Sequence, residues 1–200
     1  MPRTKEQYDD IRKATREKIQ AAAMQVFVKK GFGAANVQEI ADTAGISVGL
    51  MYRHYRTKEH LFRELMEFAV AGMNKVAELF ESGGSPRQLI GGFAKEIVQD
   101  MTAGDELANL LILMNRYAVA TDSAADKETI FRLNERMLNA MTALIREGQE
   151  LGDFRDGDPY AMTLLFFAAL QGLAEMKLSM KNGFTMPTAD LLTTFLLKEE

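Results

Sequence analysis

The sequence predicts an all-α protein, with a three-helix N-terminal head carrying a helix-turn-helix and a six-helix C-terminal body. Three observations predict it. Apolar residues recur at three- and four-residue spacing along the chain, no segment alternates with the two-residue period of a half-buried strand, and helix-capping residues alternate with glycines where periodic runs end. With 47% apolar residues and only four prolines in 200, the chain has enough apolar surface to bury a real core.

The first helix is marked by the stripe Ile19, Ala22, Ala23, Val26 and Phe27, and Gly31-Phe32 ends it. Asn36 caps a short helix over about Val37 to Ala44, with Glu39 placed for an Asn version of the capping box and Val37, Ile40 and Ala41 on one face. Gly45 takes the chain out through positive φ, and Ser47 then caps a second short helix, about Val48 to Arg53, with Ile46 and Met51 spaced as a hydrophobic staple. Met51 and Tyr55 form its buried side. A helix this short holds only by packing on its neighbours, and its other face is left for a groove. Two short helices, a tight turn and an immediate third helix start form the layout of a DNA-reading module.

The remaining elements follow from the same signals. Thr57 caps a long helix from Lys58 to about Ser82, stopped by Gly83-Gly84. Ser85-Pro86 opens a helix to about Ala103, and a shorter one spans about Asp105 to Ala120. Further helices are expected over about Asp126 to Leu151, from Asp158-Pro159 to about Asn182, and over Ala189 to Lys198, with GDFRDGDP as a turn between the first two. The expected domains are residues 1–56 and 57–200.

The run IQAAAMQVFVKKGF together with Ile40-Ala41, Ala44-Gly45-Ile46-Ser47, Gly49, Tyr52, Tyr55, Lys58-Glu59 and Leu61-Phe62 closely resembles the tetracycline-repressor-like (TetR) family of transcriptional regulators over about fifty residues. Asn36 stands where that family more often has Thr or Ser, and Tyr55 where it usually has Phe. Both keep the physical role. The resemblance implies a regulator, most commonly a repressor, released from a palindromic operator by a small effector bound in the body. The alternative is a helical interaction or ligand-binding module without sequence-specific DNA binding.

Charge fits a DNA-facing head. Residues 1–60 carry a net +4 and residues 61–200 a net −8, within a chain total of −4. Val48, Gly49 and Leu50 lie at the N-terminal end of the recognition helix beside Ser47, where base edges are reachable. Leu50 suits a thymine methyl, and Gly49 allows close approach. Arg53 suits a guanine edge or a phosphate. Tyr52, His54 and Lys58 are expected on the DNA backbone, by resemblance and because each donates to phosphate oxygen. Gln38 and Thr43 contribute from the preceding helix. Residues Arg3 to Arg16 form either a basic arm or a frayed terminus.

In the body, the supply of Met and Phe (thirteen Met in the chain) serves either core filling or an adaptable apolar cavity. On helices that in the family enclose an effector, the candidate ligand-binding residues are Met66, Phe93, Met101, Met114, Asn115, Tyr117, Met137, Met141, Phe167 and Gln171, with Asn115, Tyr117 and Gln171 as polar anchors. The expected effector is lipophilic. Between Ala161 and Met180 apolar residues cover nearly the whole helix, and Leu191, Leu192, Phe195 and Leu196 extend the surface. The resemblance pairs these last two helices, about 159–182 and 189–198, with their copies in a homodimer; the same residues would also serve to complete a monomer core.

Enzyme chemistry finds no footing in the sequence, and no cofactor or metal is expected. His54 and His60 are spaced wrongly for one helical face, neither GxSxG nor a phosphate-cradling glycine loop occurs, and Asp153, Asp156 and Asp158 lack the spacing of a calcium loop. There is no cysteine for disulfides or thiolate sites. A polar N-terminus without a signal-peptide pattern, and an apolar run of only Leu164 to Leu170, make a cytoplasmic protein with no membrane partner the expectation.

Overall fold

The computed structural model describes residues 4–180 and 183–198. Among these residues nine helices follow in order: α1 Lys5–Lys30, α2 Val37–Ala44, α3 Val48–His54, α4 Lys58–Glu81, α5 Pro86–Ala103, α6 Glu106–Ala120, α7 Ala124–Glu150, α8 Pro159–Met180 and α9 Ala189–Thr193. Most boundaries fall within a residue or two of those expected, because the caps form as the sequence implies. Asn36, Ser47, Ser85 and Thr188 each accept a bond from the backbone N–H three residues on.

α1 starts earlier than its apolar stripe. The Thr4 hydroxyl accepts from the Gln7 N–H while the Gln7 side chain accepts from the Thr4 N–H, a complete capping box. Residues 5–16 are therefore the first turns of α1 rather than a free arm or a frayed end, whereas Arg3 lies outside the described residues.

Two compact units divide the chain, one through Phe68 and one from Ala69. α4 belongs to both. The division falls inside α4 rather than at residue 56, since Leu61, Phe62, Leu65 and Met66 are all buried in the first unit. That unit's core also takes Ile19, Ala23 and Phe27 from α1, Ile40 and Ala41 from α2, and Met51 and Tyr55. Phe27, Phe32 and Phe62 meet with centroids 4.7–5.6 Å apart, edge-on or tilted as ring quadrupoles favour.

The second unit packs α7 and α6 against α8, and α5 against α9. Phe80, Ile90, Phe93, Met141, Leu144, Ile145, Phe154, Phe166, Leu170, Leu192 and Leu196 form its core. α9 is shorter than the sequence suggests, stopping at Thr193 instead of Lys198. The reason is distant in sequence. Residues 194–198 fold back on the turn after α7: Phe154 and Leu197 form an antiparallel bridge, the Arg155 N–H donates to Leu196 O (2.8 Å), and the Lys198 N–H donates to Asp153 O (3.0 Å). The Arg155 guanidinium then donates to the carbonyls of Thr194 and Leu197, and that of Arg87 to those of Asp153 and Lys198. The acidic segment is a turn plus a cap, with Asp158 Oδ1 accepting from the Ala161 N–H at 2.7 Å.

α8 ends at Met180 among the described residues, and the expected extension to Asn182 lies outside them. Its buried face carries Thr163, Phe166, Leu170 and Ala174, while Ala161, Leu164, Leu165, Ala168, Gly172, Met176 and Met180 are exposed at helical spacing. By length and composition alone α8 would pass as a membrane span. The buried face is instead packed into the body's core.

Phe154 is fully buried, and its ring lies where a side chain at Gly148 would begin: a Cβ there would sit 2.8 Å from the ring carbons. Gly148→Ala is expected to destabilise the body by about 1–3 kcal/mol through overpacking, measured by urea denaturation, with no such loss for Gly92→Ala, a helical glycine whose Cβ would meet open space.

Candidate nucleic-acid interface and effector cavity

The turn between α2 and α3 is built as the sequence requires. Gly45 sits in the left-handed region at φ 67°, and its N–H and that of Ile46 return to the carbonyls at the end of α2. The Asn36 cap is only half a capping box, because Glu39 pairs with Lys30 of α1 instead of reaching back. Ser47 Oγ accepts from the Leu50 N–H at 3.2 Å, so this hydroxyl is committed to the start of α3.

Burial divides α3 cleanly. Met51, and Tyr55 just past the helix, are each 1% exposed, whereas Tyr52 is 50% exposed; Gly49 and Arg53 are exposed, and Val48 and Leu50 are half-buried. Gln38 and Thr43 of α2 are also exposed, with Gln38 Nε2 donating to Asp42 Oδ1 at 2.8 Å. Arg56, not singled out from the sequence, is exposed just after α3.

Two expected backbone donors are placed differently. The Lys58 ammonium donates to the carbonyls of Phe32 (3.0 Å), Gly33 (3.3 Å) and Ala35 (2.9 Å) and lies 4.8 Å from the Phe32 ring centroid. All three protons are thus spent holding the α1–α2 loop. His54 is half-buried, with Nδ1 shut off from water and without a partner. Burial, and then the charges of Arg12 and Arg16, hold its pKa below the usual 6.5. The sequence places both residues beside the recognition helix but cannot show which way they turn.

The Tyr55 hydroxyl supplies something a Phe would not. It donates to Glu64 Oε1 at 2.9 Å, and the same oxygen accepts from Arg16 Nε (2.9 Å) and Gln20 Nε2 (2.7 Å), while Arg16 Nη2 donates to Glu64 Oε2. Arg16 also stacks 4.8 Å from the Tyr55 ring centroid. One carboxylate on α4 therefore ties down the end of α3 and the side of α1. Burial, followed by the Glu64 bond, raises the Tyr55 phenol pKa well above its ordinary value.

The second unit contains a cavity of about 320 Å³. Six of the ten expected residues line it: Phe93, Met114, Asn115, Met137, Phe167 and Gln171. The other four do not. Met66 is buried in the first unit, Met101 (1% exposed) and Met141 (0%) are packed into the core, and the Tyr117 hydroxyl donates to Asp126 Oδ2 at 2.5 Å. The remaining wall comes from α4 (Ala69, Gly72, Met73, Val76), Ile97 of α5, the leucines 107, 110 and 111 with Ala118 of α6, Ile130 and Asn134 of α7, and Leu170 of α8. Leucines carry no sign in sequence that they face a void rather than a neighbour, so these were not legible.

A capped helix-turn-helix on a basic N-terminal unit defines a DNA-binding regulatory protein. Residues 19–65 match the family described as bacterial regulatory proteins, tetR family. The chain is 26% identical over 157 residues to the HTH-type transcriptional repressor NicS of Pseudomonas putida, covering 78% of this chain and 73% of that one. It is 36% identical over 78 residues to the uncharacterized HTH-type transcriptional regulator YerO of Bacillus subtilis, a match spanning 38% of this chain and 27% of the relative's length. In fold it resembles the crystal structure of the MbdR regulator from Azoarcus sp. CIB, with a TM-score of 0.69 at 22% identity over 91% of this chain and 97% of that one. Residues 19–65 thus carry the helix-turn-helix region of the tetR family of bacterial regulatory proteins, and the chain as a whole shares the fold of solved TetR-family transcriptional regulators.

Three outcomes follow from the head. Lys58→Met is expected to destabilise it by about 1–3 kcal/mol by leaving three carbonyls unpaired, measured by chemical denaturation, with the salt dependence of DNA binding unchanged; a slope shallower by about one unit would mark a phosphate contact. Glu64→Ala should cost about 2 kcal/mol or more, since Arg16, Gln20 and Tyr55 all lose their acceptor. Because the pKa of His54 is depressed on folding, its contribution to stability is complete above the unfolded value of 6.5 and is lost as pH falls through the lower folded value. Stability measured between about pH 7 and 5 should therefore fall, and less so in His54→Gln.

Proposed function

We propose that the protein is a homodimeric repressor that reads a palindromic operator with α3 and releases it when a small lipophilic effector fills the body cavity. The observation that carries the reading is the division of α3. Met51 and Tyr55 are spent on the head's core, which leaves Gly49, Tyr52 and Arg53 outward on a unit with net positive charge. Val48, Gly49 and Leu50 meet base edges, Arg53 meets a guanine or phosphate, and Tyr52, Thr43 and Gln38 contact the flanking backbone. Ser47 serves by capping α3, His54 by packing, and Lys58 by holding the loop before α2. Repression is taken from relatives described as repressors, NicS and DhaR of a Mycobacterium species.

The exposed apolar seam of α8 supports dimerisation, because an apolar stripe of that length on a small domain is characteristically covered by a partner. α9 takes little part in it. Leu192 and Leu196 are already buried in the chain's own core, and only Leu191 (64% exposed) is left outward. A two-fold dimer presents two copies of α3 to two half-sites. Coupling runs through α4, whose first half carries Glu64 and whose second half lines the cavity. Its magnitude is expected to be about 1–3 kcal/mol and reciprocal between operator and effector.

Selection of bound sites from random duplex DNA, with molecular mass measured in solution, tests the reading. An enriched near-palindrome and a dimer mass are expected; a monomer without enrichment, after removal of bound small molecules, overturns it. Leu165→Glu is expected to halve the mass seen by light scattering while leaving the circular dichroism of the helices intact, since Leu165 is 55% exposed in the single chain.

A further inference from the structure

The cavity's polar groups are of one kind. Asn115 from α6, Asn134 from α7 and Gln171 from α8 all line it, and among the described residues no Asp, Glu, Lys, Arg or His does. Three carboxamides reaching one apolar cavity from three helices offer neutral donors and acceptors but nothing to neutralise a charge. An ion placed there loses its hydration without gaining a counter-ion, which strongly disfavours it. Gln171 adds a more specific signal. Its side chain lines the cavity, yet its Nε2 is shut off from water and has no hydrogen-bond partner. Both hydrogens of a buried amide nitrogen left unbonded are an unspent capacity that a ligand's acceptor recovers, and rotation of the amide about its last side-chain bond turns the NH₂ toward the cavity.

We infer that the ligand of this cavity is an uncharged, mainly hydrocarbon molecule bearing an oxygen acceptor, such as a ketone, that is bonded by the Gln171 carboxamide. The inference rests on the reading of the cavity as the effector site. Met73, Met114 and Met137 in the wall allow the apolar part to vary in shape. At interior packing density a volume of about 320 Å³ holds roughly 12 to 16 non-hydrogen atoms. Since none of the lining groups titrates near neutrality, affinity is independent of pH between about 5.5 and 8.5.

The test uses four probes of matched chain length: dodecan-2-one, 1-dodecene, dodecanoate and dodecyltrimethylammonium. Each is titrated by calorimetry against the full chain and its Gln171→Met variant. The full chain is expected to bind the ketone at least about tenfold more tightly than either ion, and Gln171→Met to lose about five- to tenfold for the ketone with the alkene unchanged. Equal or tighter binding of either ion by the full chain overturns the inference without recourse to a variant, and so does unchanged ketone affinity in Gln171→Met. Binding of none of the four by the full chain overturns the effector-cavity reading itself, an outcome distinct from the binding of a charged chain.

Discussion

The head depends on burying Met51 and Tyr55. α3 is seven residues long, too short to persist through its own hydrogen bonds, so its existence and its orientation come from the side chains it lodges in the core. Ser47 fixes where the helix starts, Gly45 sets the bend before it, and the Tyr55–Glu64 bond secures its end. The outward residues can then be chosen for DNA, because none of them is required to hold the helix in place. Glu64 gathers Arg16, Gln20 and Tyr55 onto one carboxylate, which joins α1, α3 and α4 through groups that are only partly exposed. Pairing of this kind tolerates partial burial because each donor is matched.

Lys58 and His54 illustrate a division between charge as sequence and charge as structure. A lysine and a histidine next to a recognition helix have the chemistry to touch phosphate. In the folded head the ammonium is surrounded by three carbonyl oxygens and an aromatic face, and burial beside two arginines lowers the pKa of the imidazole. The positive groups left for a polyanion are those without such internal work, Arg53 and Arg56 among them.

The body solves a different problem with the same helices. α8 is apolar almost all round, and its two sides are used differently: Phe166 and Leu170 complete the core, and Leu164, Leu165, Ala168 and Gly172 are left in an exposed seam. Around the cavity stand amides, methionines and leucines rather than charged side chains, so what the described lining offers is apolar surface with neutral donors and acceptors.

Local signals alone determined the helical class, the order of the helices, their caps and the helix-turn-helix, because a cap, a left-handed glycine and a three-and-four apolar repeat act within a few residues of one another. The sequence also showed that α8 is apolar nearly all round. It could not show that residues 194–198 leave the helix to pair with the turn at 153–155, since that pairing depends on a segment about forty residues earlier. Nor could it separate the methionines and leucines that line a void from those that fill the core: Met137 and Met141 lie one turn apart on α7 and have opposite fates. Which face of a helix meets a cavity, and whether Lys58 turns to a loop or to solvent, are settled by the packing of elements distant in the chain, and only the tertiary structure supplies that.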